Sequence, residues 1–267
     1  MKNKSHFLSV IIPIYKQEKT IKKDLQTIDK TLKQIRYDYE IIAVVDGTSI
    51  DKSFKEIKKL KLKNLQVFGY KNNHGKGYAV RYGMAKTKGD YIAFIDAGME
   101  IDPNGISLVL EHMEWYNADI IVASKRHPAS MVSYPFDRKI ISLGAHLISR
   151  FLLGINVHDT QTGLKIFKRP VLVKVLPRLM VKNYAFDLEI LSVANKLGFT
   201  KIYEAPIKLT YDFTSLTHAT GLKIIYTCFI EAMSVFYRLR ILNYYDDKNK
   251  RKWIYNPELE MRINTGK

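Results

Sequence analysis

From residue 7 to residue 123 the chain alternates short, β-branched apolar runs with segments of helical periodicity, and nearly every run ends on a polar, charged or glycine residue. Phe7 to Ile14 is an apolar run of strand length. Behind it, between Glu18 and Arg36, the residues Ile21, Leu25, Ile28, Leu32 and Ile35 recur at spacings of three and four, the mark of an amphipathic helix. Tyr39 to Val45 is the next strand, closed by Asp46-Gly47-Thr48-Ser49, and Ser53 to Leu62 reads as a very basic helix. Leu65 to Tyr70 predicts a third strand, Gly77 to Lys86 a helix, Asp90 to Ile95 a fourth strand, Pro103 to Tyr116 a helix and Asp119 to Ala123 another strand. Such succession specifies an α/β fold, a mostly parallel sheet with helices on both faces, and ligands bind these sheets at the carboxyl ends of the strands. That edge gathers Tyr15, Asp46, the turn from Asn72 to Gly77, Asp96 and Ser124-Lys125-Arg126.

After Pro128 the rhythm changes. Arg138 to Leu153 reads as a helix with an apolar face, Lys165 to Phe167 as a short strand, and Tyr184 to Leu197 as a helix carrying Asp187 and Glu189. Lys201 to Leu209 is a last strand, and Gly221 to Tyr245 a long helix rich in Ile, Phe, Tyr and Met, followed by the basic run Lys248 to Lys252. With 267 residues, 46% of them hydrophobic, the chain can bury an ample core, which excludes disordered and collagen-like classes. The lone Cys228 forbids an intrachain disulfide and a cysteine-based zinc site, and so suits a reducing compartment. The basic start, Met1 to His6, runs straight into a stretch broken by Pro13 and does not read as a secretory leader. The best apolar windows are Ile140 to Val157, broken by His146 and Arg150, and Gly221 to Tyr245, broken by Lys223, Glu231, Arg238 and Arg240; no membrane span is predicted.

Three clusters on the loaded edge can carry chemistry. Asp96, projected from a strand end with Glu100 and Asp102 behind it, offers hard oxygen ligands to Mg2+ or Mn2+, which in turn neutralise a diphosphate. Asp102-Pro103 reads equally well as a helix cap and first helical residue. The turn Asn72 to Gly77 could offer backbone N–H groups and the Lys76 ammonium to an anion, or be a plain turn. It is no P-loop, because Gly69 lies one residue too far from Gly75 and Gly77 follows Lys76; nor is it a dinucleotide fingerprint, because Val80 takes the third glycine position. Ser124-Lys125-Arg126-His127 places two cations where a phosphate monoester could be gripped, unless they are ordinary solvated surface charge. G-x-S-x-G, H-E-x-x-H and Cys–His pairings are absent, which removes most weight from hydrolases and zinc enzymes.

Taken together, these residues resemble the inverting family 2 glycosyltransferases of nucleotide-diphospho-sugar type, and more narrowly the dolichyl-phosphate (polyprenyl-phosphate) mannose and glucose synthases. The matching stretches in the first half are Ser9-Val-Ile-Ile-Pro13-Ile-Tyr15, Asp46-Gly47-Thr48, Asn73-His-Gly75-Lys76-Gly77-x-Ala79-x-Arg81-x-Gly83, Gly89-Asp90-Tyr91 and Phe94-Ile-Asp96-Ala97. The second half adds Ser124-Lys-Arg-His-Pro128, Asp159-Thr-Gln161-Thr-Gly163-Leu-Lys165 and Ala185-Phe186-Asp187-Leu-Glu189. The first-half blocks are generic to the family; Asp-Thr-Gln-x-Gly-x-Lys with Phe-Asp-x-Glu is much more specific to the polyprenyl-phosphate branch. The resemblance covers roughly residues 7 to 211 and implies a GT-A, Rossmann-like sheet.

What the resemblance implies is transfer of mannose or glucose, from GDP-mannose or UDP-glucose, to a dolichyl or polyprenyl phosphate with inversion at the anomeric carbon, assisted by Mg2+ or Mn2+. It puts the base and ribose near Pro13, Tyr15 and Asp46 and the diphosphate near Lys76 and Asp96. It makes Asp96 the first metal carboxylate, and assigns the acceptor phosphate to Ser124, Lys125 and Arg126. Asp159 and Gln161 are expected to orient the sugar or close the metal side, and Asp187 and Glu189 to hold donor hydroxyls or to anchor a helix. The family's Asp-Ala-Asp-x-Gln reads Asp96-Ala97-Gly98-Met99-Glu100 here, and Glu100 is expected to restore the second carboxylate of the metal site. Lys16-Gln17 replaces the usual Asn-Glu, and Val45 stands where an Asp often precedes Asp46.

The chain carries 43 basic and 26 acidic residues, a formal net charge of +17, which calls for nucleic acid, an anionic membrane or a phosphorylated substrate. The Lys52 to Lys63 cluster alternates with Phe54, Ile57, Leu60 and Leu62 as a surface helix does, so no nucleic acid partner is expected. The Ile140 to Val157 segment and the Gly221 to Tyr245 helix have the composition of interfacial helices or of core-packing ones. The expected organisation is a catalytic domain at 1–215 and an amphipathic, basic membrane-surface helix and tail at 216–267, peripheral to the cytoplasmic face of a membrane. The alternatives are an enzyme of the same fold acting on a soluble saccharide or protein, and a non-catalytic nucleotide-sugar-binding relative, the latter motivated by Gly98.

Overall fold

A computed structural model of the chain describes residues 6–132, 154–155, 157–209, 222–249 and 251–265. In chain order its strands are β1 (Phe7–Ile14), β2 (Asp38–Asp46), β3 (Leu65–Tyr70), β4 (Tyr91–Ile95), β5 (Ile120–Ser124), β6 (Met131–Val132), β7 (Leu164–Lys168), β8 (Ile202–Pro206), β9 (Lys208–Leu209), β10 (Lys252–Asn256) and β11 (Met261–Thr265). Seven of them form the central sheet in the order β3-β2-β1-β4-β7-β5-β8; β6 pairs with β9 and β10 with β11 in two small sheets. The central strands pair in parallel except β7, which runs antiparallel to both β4 and β5. The α/β sheet is thus mostly parallel, as expected.

The helices are α1 (Ile21–Leu32), α2 (Ser53–Lys58), α3 (Lys76–Ala85), α4 (Gly105–Trp115), α5 (Arg169–Val175), α6 (Phe186–Lys196) and α7 (Leu222–Phe236). They form two layers. In β1, Leu8, Val10, Ile12 and Ile14 pack with the residues of α1, α2 and α4, whereas Ile11 packs with those of α3, α5 and α6; Ile41, Ala43 and Val45 of β2 divide from Ile42 and Val44 in the same way. A strand covered on both faces needs apolar side chains at odd and even positions alike, which explains continuous apolar runs without alternation.

Of the boundaries that differ from the sequence reading, three matter most. The helix read from Pro103 begins at Gly105 with Asn104 at its N-cap, and the Asp102 Oδ1 accepts the Asn104 N–H at 2.9 Å in the turn that leads into it. The basic helix after Ser53 ends at Lys58, followed by a turn in which the Leu65 N–H donates to the Leu62 carbonyl. The long C-terminal helix does not continue to Tyr245. It passes at Tyr237–Ile241 into a π-helical turn, and Tyr244 and Tyr245 fold back into the core at 5% and 1% exposure.

The basic run after Lys248 leads into an antiparallel hairpin, β10 and β11, which the charge pattern did not reveal. The hairpin is fastened to α3 by Tyr78–Glu258 and Lys86–Glu260 contacts and to Tyr244, whose hydroxyl donates to the Asn264 carbonyl at 3.3 Å. Arg178 stacks over Trp253 at 5.1 Å. The helix expected over 138–153 lies outside the described residues, as does most of the 140–157 segment.

At the amino edge of the sheet, Glu40 is 5% exposed and ties four segments together. Its Oε1 accepts from the Ser9 hydroxyl at 2.6 Å and from the Lys88 amide at 2.7 Å, and its Oε2 accepts from Gln66 Nε2 at 2.8 Å. Replacing Glu40 by alanine removes the acceptor of the buried Ser9 hydroxyl on β1 and of the part-buried donors of Gln66 on β3 and Lys88 on the approach to β4. The expected loss of stability is about 2–4 kcal/mol in urea unfolding, and a change under about 1 kcal/mol would contradict this account.

Candidate active site

Asp46 closes β2 and is 3% exposed. Its Oδ1 accepts the His74 amide at 2.7 Å, and its Oδ2 accepts the Gly75 amide at 2.9 Å and Asn73 Nδ2 at 3.0 Å. Two backbone N–H groups of the 72–77 turn, those of His74 and Gly75, therefore meet an internal anion and not an external one. The turn is held rigid by the end of β2, and it delivers Lys76 to the first position of α3.

The end of β4 is built by β7. Antiparallel pairing sets Ile95 opposite Leu164, so the residues just before Leu164 stand beside Asp96. The Asp96 amide donates to the Gly163 carbonyl at 3.0 Å. A Cβ on residue 163 would lie 2.2 Å from Asp96 Oδ2, so the approach requires glycine. Asp96 Oδ2 accepts from Lys76 Nζ at 2.7 Å, while Asp96 Oδ1 is buried without a protein partner. Burial alone would lower the pKa of Lys76, but Asp96, Asp187 and Glu100 together outweigh it and hold it above the ordinary lysine value.

Lys165, two residues beyond Gly163, is fully buried. Its ammonium donates to Asp187 Oδ1 and to the Thr162 carbonyl, both at 2.6 Å. Burial pulls its pKa below the ordinary value, against the opposing pull of Asp187. The two ion pairs are electrostatically coupled through Lys76 and Asp187.

Over the Lys76–Asp96 pair opens a cavity of about 460 Å³, lined by Pro13, Tyr15, Gln17, Asp46, Asn73, Lys76, Asp96, Glu100, Asn183 and Tyr184 among others. This volume falls within the range of small-molecule sites, and the position, at the carboxyl ends of parallel β1, β2 and β4, is where α/β sheets bind ligands. The donors suit a divalent metal in part. Asp96 Oδ1 is an open carboxylate oxygen, and Glu100 lines the same cavity, 

yet no group of three or more His, Cys, Asp or Glu is arranged to hold a metal among the described residues. A metal here would take its remaining ligands from a bound anion and water.

The model of glycosyl transferase family 2 matches residues 9–176. The chain belongs to that family. The chain is 30% identical over 207 residues to a dolichyl-phosphate beta-glucosyltransferase of Dictyostelium discoideum, covering 72% of this chain and 63% of that protein. The chain thus spans less than two thirds of the length of that relative. It is 27% identical over 251 residues to a UDP-N-acetylglucosamine--dolichyl-phosphate N-acetylglucosaminyltransferase of Methanococcus voltae, covering 87% of this chain and 94% of that one. Its fold matches glucosyl-3-phosphoglycerate synthase of Mycobacterium tuberculosis, solved with Mn2+, UDP and phosphoglyceric acid, at a TM-score of 0.65, 17% identity and 97% and 87% coverage of the two chains.

The cavity brings together Pro13, Tyr15, Asp46, Lys76, Asp96 and Glu100 from the sequence reading. The second-half residues lie outside its lining. Asp159 is 8% exposed and its Oδ2 accepts the Lys125 amide at 3.0 Å, so the 159–163 motif and the 124–127 turn are joined. Ser124 does not present its hydroxyl as expected for an acceptor phosphate. It is fully buried and its Oγ accepts the Arg126 amide at 3.2 Å, closing the turn. Lys125 and Arg126 are half-buried beyond it, and Gln161 is exposed.

Of the expected donor-hydroxyl pair, Asp187 pairs with Lys165, and Glu189 is fully buried beneath the C-terminal segment. Glu189 accepts the Met180 and Val181 amides at 2.9 and 2.8 Å and the Tyr245 hydroxyl at 2.6 Å, with Arg238 at 3.6 Å. Its geometry is that of an anchor, the second of the two roles the sequence left open for it. Sequence reasoning passed over Lys165, although it stood within a quoted motif, and Asn183 and Tyr184, which no local signal marks. Removing one partner of a fully buried pair leaves the other charge uncompensated. Lys165→Met is therefore expected to cost about 3–5 kcal/mol in chemical denaturation, and adding Asp187→Leu to recover much of it. A double variant no more stable than the single one would show that the pair is not what the core depends on.

Proposed function

We propose that this glycosyltransferase transfers glucose, or a closely related hexose, from a uridine-diphosphate sugar to a dolichyl or polyprenyl phosphate, with inversion at the anomeric carbon. The observation that carries the reading is the Lys76–Asp96 pair at the floor of the cavity, with one Asp96 oxygen left open. The dolichyl-phosphate transferases among its relatives support the lipid phosphate acceptor, and their glucosyl and UDP-N-acetylglucosamine donors favour uridine over the guanosine nucleotide of a mannose donor.

In this reading the nucleoside lies toward Pro13 and Tyr15 and the diphosphate against Lys76. Asp46 acts at one remove, by holding the 73–75 turn that forms part of the cavity. Asp96 and Glu100 would hold Mg2+ or Mn2+, which neutralises charge on the departing diphosphate. Lys76 lies in the same place and contributes a fixed ammonium to that leaving group. Lys125 and Arg126 grip the acceptor phosphate, in a turn fastened to the 159–163 motif through Asp159, and Gln161 reaches the sugar from that motif. A phosphate monoester is largely dianionic at neutral pH, so the nucleophile needs positioning more than a strong base.

The lipid tail calls for a bilayer at the site. No helix among the described residues is long and apolar enough to cross a membrane. Helix α7 and its π-helical turn supply the surface instead: Phe229, Ile230, Tyr237, Ile241 and Leu242 are exposed with Arg240 among them, while Arg238 turns in toward Glu189. Apolar and aromatic side chains interleaved with cations fit an anionic, cytoplasm-facing leaflet. Purified full-length protein with Mn2+, UDP-glucose and a short polyprenyl phosphate is expected to form glycosyl phospholipid. Asp96→Asn should lower kcat/KM by about 10²- to 10³-fold. Transfer to soluble acceptors without lipid, or from GDP-mannose alone, would overturn the corresponding part of the proposal.

A further inference from the structure

Part of the cavity wall, Asn183 and Tyr184, belongs to neither the sheet nor a helix. We infer that Glu231, on the C-terminal helix α7, is a positioning residue that holds this wall in place, so that α7 forms part of the nucleotide site. The inference rests on the reading of the cavity as the donor site.

Glu231 Oε2 accepts the Ala185 amide at 2.9 Å, and its Oε1 accepts Asn183 Nδ2 at 3.2 Å. Ala185 sits at the N-terminus of α6 and has no side chain able to cap it. The amides at a helix start lack intrahelical partners, and a carboxylate is favoured at that positive end, so Glu231 caps α6 from another element. Asn183, the second group held, presses on the 73–77 turn. A Cβ on residue 75 would lie 2.1 Å from Asn183 Oδ1, and the Lys182 carbonyl accepts the Tyr78 amide of α3 at 3.0 Å. Contact therefore runs from α7 through 182–185 to the turn that carries Lys76.

The other end of this irregular segment is held by Glu189, through the Met180 and Val181 amides. Two carboxylates thus fix 180–185 at both ends. Glu189 is fully buried and its loss would disturb the core, whereas Glu231 is only half-buried and its loss should be felt chiefly at the wall. Glu231 is also the neighbour of exposed Phe229 and Ile230, so the proposed lipid-facing surface and the cavity share one helix turn.

The test measures UDP and GDP binding, each with Mn2+, by calorimetry on the full chain, together with hydrogen exchange of peptide 180–186 in the nucleotide-free protein and the thermal midpoint. Glu231→Ala is expected to speed exchange at 180–186 and to weaken binding of the preferred nucleotide by about five- to tenfold, with the fold retained. Glu231→Gln, which keeps one acceptor oxygen, should restore part of both. Unchanged exchange, or faster exchange with unchanged nucleotide affinity, would overturn the inference. Were the unmutated protein to bind neither nucleotide, the donor-site reading would fail, and exchange alone would then decide whether Glu231 holds the segment.

Discussion

The site depends on one backbone arrangement, the insertion of β7 antiparallel between β4 and β5. A strand entering in that direction begins where β4 ends, which sets Gly163 against Asp96 and lets the Asp96 amide bond to the Gly163 carbonyl at 3.0 Å. Two further positions along, the same strand drives Lys165 beneath the sheet edge, where it meets Asp187 of α6. A parallel strand at this place would start at the opposite edge and carry the 159–163 motif away from β4. The 159–163 motif thus reaches the carboxyl edge because of strand direction.

Charge is organised in two regimes. At the site, Lys76 with Asp96 and Lys165 with Asp187 form linked pairs, the second fully enclosed. Such pairs contribute little net stability, since desolvation offsets the Coulomb attraction, but they set the position of each group tightly. Elsewhere the +17 is spread largely over exposed lysines and arginines, with Arg240 beside the uncovered apolar residues of the π-helical turn. The C-terminal region faces both ways: Ala232, Val235, Leu239, Tyr244 and Tyr245 enter the core, while Phe229, Ile230 and Ile241 remain exposed.

The strands of the central sheet, most of the helices and the first-half edge residues were legible because each rests on local information, whereas α5 and the β10–β11 hairpin were not read from the sequence. A run buried on both faces is apolar throughout, a helix shows its period, and a strand end announces itself by a polar residue. Asp46, Lys76 and Asp96 follow from that rule, and the structure brings them to one cavity. Ser124 was read as a phosphate ligand and Glu189 was left between two roles because a polar residue within a motif looks the same whether it faces a ligand or closes a turn. Only their neighbours distinguish the two, and these are the Arg126 amide for Ser124 and the Met180 and Val181 amides for Glu189.

By itself the sequence determined the α/β class, the carboxyl edge as the place of chemistry, and membership cues strong enough to indicate a nucleotide-sugar transferase. Periodicity, turn residues and motif spacing are properties of short stretches, and they survive without a fold. The tertiary structure alone decided that β7 is antiparallel, that a hairpin closes the chain against α3, and that Asn183, Tyr184 and Glu231 join the site's surroundings. These depend on contacts between residues far apart in the chain, 48 positions in the case of Asn183 and Glu231, where no local pattern carries the information.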